Sequence, residues 1–333
     1  MPASDLLDDI YNLLQLCSHR IDHFSSLGLP SLIETLGELN FPSSKSMAFG
    51  NYADWWWCLA KDAPLLRSIS LSHLLLSTDD LDLKWEELNE LRLILCRWTT
   101  CLKDLCLAQN LVNCHLHDLD PSIEFKDDPM AQLPQLTTLI MSNISAATVM
   151  VVLDCIKTPA LKRLEVQWEE KVLVPLMAIA DLVTRSSCSL DQLGFTAHPV
   201  YDARVTIGFL DSIPNLSRLE LYLTGAYAFD VITGTDLCRT AHPLDVAINH
   251  LSYPNLHQVL DDIPSLSGYK ALFDMIDERR ATTALEQRRR ITNFELRLII
   301  HFDDPILEIM RAYKEVLRHG LIITVPSIHR ETC

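Results

Sequence analysis

Four cysteines and two histidines stand close together in the chain: Cys96, Cys101, Cys106 and Cys114, with His115 and His117. Thiolate and imidazole are ligands that zinc prefers, and a structural zinc site takes four of them in a tetrahedron, usually from pairs two to four residues apart. The cysteine intervals here are five, five and eight, which favours thiols packed as small apolar side chains. His115 and His117 are separated by one residue, so a strand carrying them turns both to one face. On a wet face they are either simply solvated or placed to read a partner.

Other groups invite a chemical reading and lose it to a plainer one. The aspartate pairs Asp8–Asp9, Asp79–Asp80, Asp127–Asp128, Asp261–Asp262 and Asp303–Asp304 suggest carboxylate dyads. They lie scattered near element ends, where aspartate caps helices and shapes turns. Trp55, Trp56 and Trp57 cannot all face inward on one helix, because successive residues point about 100° apart. One ring is left for a covering loop or a partner. The run Glu278–Arg290 (ERRATTALEQRRR) reads as a solvated helix end and loop, with an acidic-partner site as its rival. Neither a phosphate-binding glycine loop nor a Gly-x-Ser-x-Gly elbow occurs. The expectation is a chain that is not an enzyme, with no catalytic residues, no cofactor and no metal.

Composition narrows the partners. The 333 residues carry a formal net charge of −16, with 48% hydrophobic residues and 9 glycines. That is a globular balance whose acidity repels phosphate backbones and anionic headgroups, so neither nucleic acid nor membrane is expected. The opening MPASDLLDDIYNLL has acidic residues where a signal peptide would be basic. Apolar runs such as Leu176–Ala180 fall far short of the roughly 18 residues of a spanning helix. Ten cysteines without an export signal then read as reduced thiols, and a monomer in the cytoplasm and/or nucleus is expected.

Positioning comes from a repeat. The pattern Leu-x-x-Φ-x-Φ, with Φ apolar, begins at Leu66, Leu88, Leu111, Leu136, Leu161, Leu190 and Leu216. Subtracting successive starts gives periods of 22, 23, 25, 25, 29 and 26, close to or within the range of leucine-rich repeats. Three residues after each start stand Ile69, Leu91, Cys114, Leu139, Leu164, Leu193 and Leu219; five after stand Leu71, Leu93, Leu116, Met141, Val166, Phe195 and Leu221. All are apolar. A period of two means a strand with one buried and one wet face. A parallel sheet is usually covered on both faces, whereas a solenoid leaves its strand face open.

The expected fold is therefore α/β: an irregular leucine-rich-repeat solenoid with parallel strands on the concave face and helices on the convex face. It is read as one solenoid over 1–333, with divergent capping units at 1–60 and regular repeats at 61–223. An insertion at 224–253 is left unassigned, and divergent units with a cap fill 254–333. An N-terminal helix is expected at Leu6–Cys17 and divergent strands within Arg20–Leu39. Repeat helices are expected at Ala146–Thr158 after the N-cap Ser145, at Val174–Ser187 and at Arg204–Ile213, with Leu102, Leu105 and Leu107 on another. Pro64, Pro134, Pro159 and Pro214, each two residues before a repeat leucine, end helices and set the chain extended. Later strands are expected at Leu256–Asp261, Asn293–His301 and Leu321–Val325, with helices at Tyr269–Arg280 and Pro305–His319.

The wet face follows from the same alternation. Two residues after each start lie Ser68, Glu90, Asn113, Thr138, Arg163, Gln192 and Arg218; four after lie Ser70, Arg92, His115, Ile140, Glu165, Gly194 and Glu220. They should form two solvent-facing ladders with neighbours about 4.8 Å apart. Arg92, Arg163 and Arg218 beside Glu90, Glu165 and Glu220 make a face of mixed charge. Ile94, Ile140 and Tyr222 interleave as outward apolar groups, with His115 among them. Arginine and tyrosine with exposed apolar groups suit an interface centre, and lysine, which interfaces avoid, is absent from these rungs. This face across 88–222 is the expected site for a protein partner.

A family resemblance can be placed on particular phrases. They are AKDAPLLRSISLS (60–72), KWEELNELRL (84–93), NLVNCHL (110–116), TPALKRLEV (158–166), TRSSCSLDQLGF (184–195), IPNLSRLELYLTG (213–225), LFDMIDERR (272–280) and HGLIITV (319–325). In this order they resemble the leucine-rich-repeat regions of the F-box-like proteins of mushroom-forming fungi, and Arg185–Leu190 is the most distinctive. The resemblance implies a substrate-recruiting subunit of an SCF-type ubiquitin ligase, with the repeats gripping the target. The alternative is a stand-alone structural or regulatory repeat protein, such as an inhibitor, with no ubiquitin link. Two departures accompany the resemblance. The Leu-Pro-x-Glu-type opening of an F-box is not read before the repeats. The expectation is then a piece of such a protein, or a member without the box, that does not itself bind the ligase adaptor. The asparagine some eight residues after each start is also missing, so irregular turns are expected.

Overall fold

A computed structural model describes residues 12–13, 16–27, 41–50, 63–72, 83–120, 130–168, 174–197, 209–210, 212–213, 215–224, 244–251 and 291–299. It is α/β, with parallel strands and few helices. The chain divides into two compact units, Met1–Arg163 with Asp181–Cys188, and Leu164–Ala180 with Ser189–Cys333.

In the first unit the strands β1 (His23–Leu27), β2 (Ser46–Gly50), β3 (Ser68–Ser72), β4 (Glu90–Ile94), β5 (Asn113–His117) and β7 (Thr138–Ile144) lie side by side in that order. A separate parallel pair joins β6 (Ala131–Gln132) to β8 (Ile156–Lys157). Every pairing in the row is parallel, and the register is the one the repeat dictates: Ser68, Glu90, Asn113 and Thr138 are successive partners, as are Ser70, Arg92, His115 and Ile140. A one-residue slip would carry a whole apolar set to the wet face, so burial fixes the register. Backbone bonds at each strand's entry reinforce it. Asn89 and Glu90 both donate to the Arg67 carbonyl, and Val112 and Asn113 both donate to that of Asn89.

Among the fourteen apolar strand positions of the repeat, all are buried except Leu221, whose side chain lies outside the described ones. The leucine that opens each repeat is buried too, and in six of the seven, all but Leu190, its N–H closes a tight turn on the carbonyl three residues back. Leu66 donates to Ala63 at 3.0 Å, Leu136 to Leu133 at 3.2 Å and Leu161 to Thr158 at 3.1 Å. Pro64, Pro134 and Pro159 occupy the second position of these turns, where a fixed φ is already correct. Their role is thus to form the corner, more than to stop a helix.

Strand exits share a second device. Leu95, Asp118 and Asn143, each seven residues after a repeat start, adopt φ of 55°, 51° and 55°. The turns are therefore more alike than the missing asparagines suggest. At the next position stand Cys96, Leu119 and Ile144, all buried. The Cys96 thiol reaches back 3.8 Å to the Leu71 carbonyl, a weak version of the bond an asparagine would make there. Asp and Asn tolerate the left-handed region, whereas a leucine pays for its Cβ there. Leu95 is also 40% exposed, so packing offsets little of that strain. Leu95→Gly should raise stability by about 0.5–1 kcal/mol in urea denaturation. A loss would mean that the leucine side chain contributes more than its strain costs.

Helix α1 (Trp98–Leu107) connects β4 to β5, burying Leu102 and Leu105 and leaving Leu107 exposed. Helix α2 (Ala146–Asp154) starts as expected, with Ser145 Oγ accepting from the Thr148 N–H at 3.1 Å. It ends four residues earlier than expected, because Ile156–Lys157 is drawn into pairing with Ala131–Gln132. Helix α3 (Val174–Ser186) matches its expected range to within one residue.

The distinctive Arg185–Leu190 phrase has a structural use inside the first unit. Arg185 Nη2 donates to the carbonyls of Leu153 at 2.5 Å and Ile156 at 3.4 Å, closing the end of α2. Ser186 Oγ accepts from the buried Thr158 N–H at 3.0 Å. Ser186→Ala would leave that donor buried and unmatched, and should cost about 1–2 kcal/mol in a denaturant titration. An unchanged midpoint would show that Thr158 finds another acceptor.

In the second unit β9 (Arg163–Trp168, from Leu164 onward), β10 (Gln192–Ala197), β11 (Arg218–Thr224), β12 (Leu244–Leu251) and β13 (Ile291–Ile299) follow in order. β12 lies inside 224–253, where the repeat pattern alone assigns no element. Its register against β11 continues the repeat, with Arg218 opposite Asp245 and Leu219 opposite Val246. Pro243 holds the place of the opening leucine, which hid the strand from the pattern. β13 begins two residues before its expected start and ends two before its expected end. Trp168 stacks on Phe195 with ring centroids 6.4 Å apart, and Phe209 meets Phe195 edge-on at 6.1 Å.

β1 falls within Arg20–Leu39, while β2 was not anticipated. The expected elements at Leu256–Asp261, Tyr269–Arg280, Pro305–His319 and Leu321–Val325 lie outside the described residues, as do most of Leu6–Cys17 and Arg204–Ile213.

Candidate protein-binding face

The two units treat their outward rows differently. In the first unit the outward positions of β3, β4, β5 and β7 are half-buried, and Arg92 is exposed. Ser68, Ser70 and Ser72 make a low floor on β3, beside the taller Arg92, Ile94, His115, His117 and Ile140. Arg92 is held in place by its own strand: Nε and Nη2 both lie 3.0 Å from Glu90 Oε1. Glu90 Oε2 in turn accepts from Ser68 Oγ at 3.3 Å. The guanidinium is therefore pre-oriented, and a docking partner would lose less side-chain freedom in meeting it.

The second unit departs from expectation. Glu165 and Glu220, placed on the wet face by alternation, are only 8% and 7% exposed, and Gly194 and Thr196 are buried as well. Each carboxylate has a neighbour two residues along its own strand. Gln167 Nε2 donates to Glu165 at 2.9 Å, and Arg218 Nε lies 2.9 Å from Glu220. Such charge-assisted partners are what make a buried carboxylate tolerable. Glu165 and Glu220 therefore drop out of the candidate site, and Arg218 serves Glu220. Arg163 is half-buried at the edge of the first unit. The backbone of Tyr222 continues the register opposite Asn249, and its side chain lies outside the described residues.

The cysteine cluster separates by chemistry. Cys96, Cys101 and Cys114 meet in the core of the first unit near the buried Asp104, and Cys106 is half-buried. A hydrogen bond with Cys96, then burial, holds the Cys101 thiol well above its ordinary pKa, and burial pushes Cys114 up to about 12. Protonated thiols are poor metal ligands and poor nucleophiles. His115 and His117 lie on the opposite face of β5 from Cys114. Among the described residues no group of three or more His, Cys, Asp or Glu side chains is arranged to hold a metal ion. No described helix is long and apolar enough to cross a membrane. Trp55–Trp57, the five aspartate pairs and Glu278–Arg290 lie outside the described residues.

One constellation escaped the sequence reading. His117 Nδ1 lies 2.9 Å from Ser142 Oγ, its register partner on β7, and Nε2 lies 3.3 Å from Asp118 Oδ2. Asn143 Nδ2 donates to Asp118 Oδ1. A usable signal existed: Asp118 and Asn143 share the offset of seven from their repeat starts and are residue types suited to a left-handed turn.

Comparison of the chain with protein-family models, with curated proteins and with solved structures found no match in any of the three.

Proposed function

We propose that the chain is a leucine-rich-repeat solenoid that binds a protein partner through the outward strand face of its first unit. The observation that carries this reading is the half-open row Arg92, Ile94, His115 and Ile140, set in register on parallel strands with Arg92 already oriented by Glu90. Paired strands with a pre-oriented guanidinium lower the entropy cost of docking; arginine is a residue type that interfaces favour, and the outward isoleucines add apolar area beside it. In this reading the strands form the concave side and the helices the convex side, and no cofactor is needed. The partner is a protein, neither nucleic acid nor membrane, met by a monomer in the cytoplasm or nucleus. The ordered phrases quoted above support kinship with the F-box-like proteins of mushroom-forming fungi. On that kinship the partner is a target presented for ubiquitination.

Photo-crosslinking tests where the partner sits. A photoreactive residue at His115 should capture one protein reproducibly, while the same group at Gln135, on the turn before β7, should not. Equal capture from both positions would remove the strand face as the docking site.

A further inference from the structure

We infer that Ser142 is an activated nucleophile, able to take an acyl group from small esters, with His117 as its base and Asp118 as the group that positions the base. Ser142, His117 and Asp118, with the neighbouring Asn143, all belong to the first unit and sit where β5 and β7 leave the sheet. Ser142 Oγ and His117 Nδ1 are 2.9 Å apart, the separation of a nucleophile from its general base. On the far side of the ring Nε2 lies 3.3 Å from Asp118 Oδ2, so the tautomer that carries its proton on Nε2 leaves Nδ1 free to accept. The carboxylate is itself fixed, since Asn143 Nδ2 donates to its other oxygen. Geometry of this kind identifies such relays by the roles of their members, whatever their order in the chain.

The backbone explains why these groups meet. His117 and Ser142 are opposite partners in the parallel register, so both side chains rise from the same face. Asp118 and Asn143 follow them directly with φ of 51° and 55°, which turns each chain back beside the imidazole. The side chains of His117 and Asp118 are 44% and 29% exposed and Ser142 is half-buried, so the group lies at the surface of the sheet and outside the core.

The step balances without a further reactant. Ser142 Oγ forms the new bond to the acyl carbon and passes its proton to His117 Nδ1, while Asp118 stabilises the imidazolium. The ester C–O bond then breaks, and the leaving oxygen takes the proton from Nδ1. The products are an acyl-serine and an alcohol or phenol. Because the face is open to water, the gain is set by base assistance alone, about 100-fold.

Incubating the full chain with p-nitrophenyl acetate and mapping the acetyl group by peptide mass spectrometry tests the assignment. Ser142 should be acetylated about 100-fold faster than in His117→Gln. Ser142→Ala should lose that label, and Ser70→Ala, another half-buried strand serine, should keep it. Asp118→Asn should slow the reaction and Asp118→Glu restore part of it, which a purely structural role would not produce. Circular dichroism confirms that each variant is folded, as expected for side chains outside the core. Acetylation confined to lysines, or equal rates at Ser142 with and without His117, overturns the proposal.

Discussion

Leu91→Ala should destabilise the protein by about 2–5 kcal/mol, measured as the shift in its chemical denaturation midpoint. Leu91 is fully buried and lies in register between Ile69 and Cys114, so its side chain is a middle rung of a stacked apolar ladder. The backbone on either side is tied by parallel pairing and cannot close around the void, which is the condition under which cavity terms are largest. Arg92→Ala, one residue along and on the opposite face, removes an ion pair whose arginine is about half exposed, worth about 0.2–1 kcal/mol. The contrast between adjacent residues is the diagnostic. Similar losses for both would mean that alternation does not separate core from surface in this strand.

That alternation is also why the strand array was legible. The repeat starts at Leu66, Leu88, Leu111, Leu136, Leu161, Leu190 and Leu216 place each strand's first residue two positions later, and the structure begins β3, β4, β5, β7, β9, β10 and β11 at those residues. Period-two burial is a local signal, and parallel stacking of equal units repeats it. The strand β12 was hidden because Pro243 replaces the leucine that announces a repeat. The early end of α2 was hidden because it depends on pairing with Ala131–Gln132, more than twenty residues away.

The binding face was only half legible, for a related reason. Alternation says which face a side chain is on; it does not say whether that face is open. Glu165 and Glu220 obey the pattern and are buried nonetheless, each held by a partner on its own strand. Arg92 and Ile140 obey it and remain accessible. The Ser142–His117–Asp118 arrangement needed two further facts, the exact pairing of β5 with β7 and the left-handed exits at Asp118 and Asn143. The pairing follows from the repeat spacing, whereas the left-handed exits are not a property of the apolar pattern.

Affinity for the partner is the sharpest test of whether a protein docks on the outward face of the first unit. With the partner captured by crosslinking from His115, its Kd should be measured by calorimetry for the wild-type chain and for Arg92→Ala combined with Ile140→Ala. Arg92 and Ile140 flank His115 in register, so the pair brackets the proposed centre of the interface. Truncating a pre-oriented arginine and an outward isoleucine at such a centre should cost about 2 kcal/mol or more, roughly a 30-fold rise in Kd. Both positions lie outside the core, so the denaturation midpoint should move by no more than about 1 kcal/mol. A partner that binds the double variant as tightly as wild type would contradict the account.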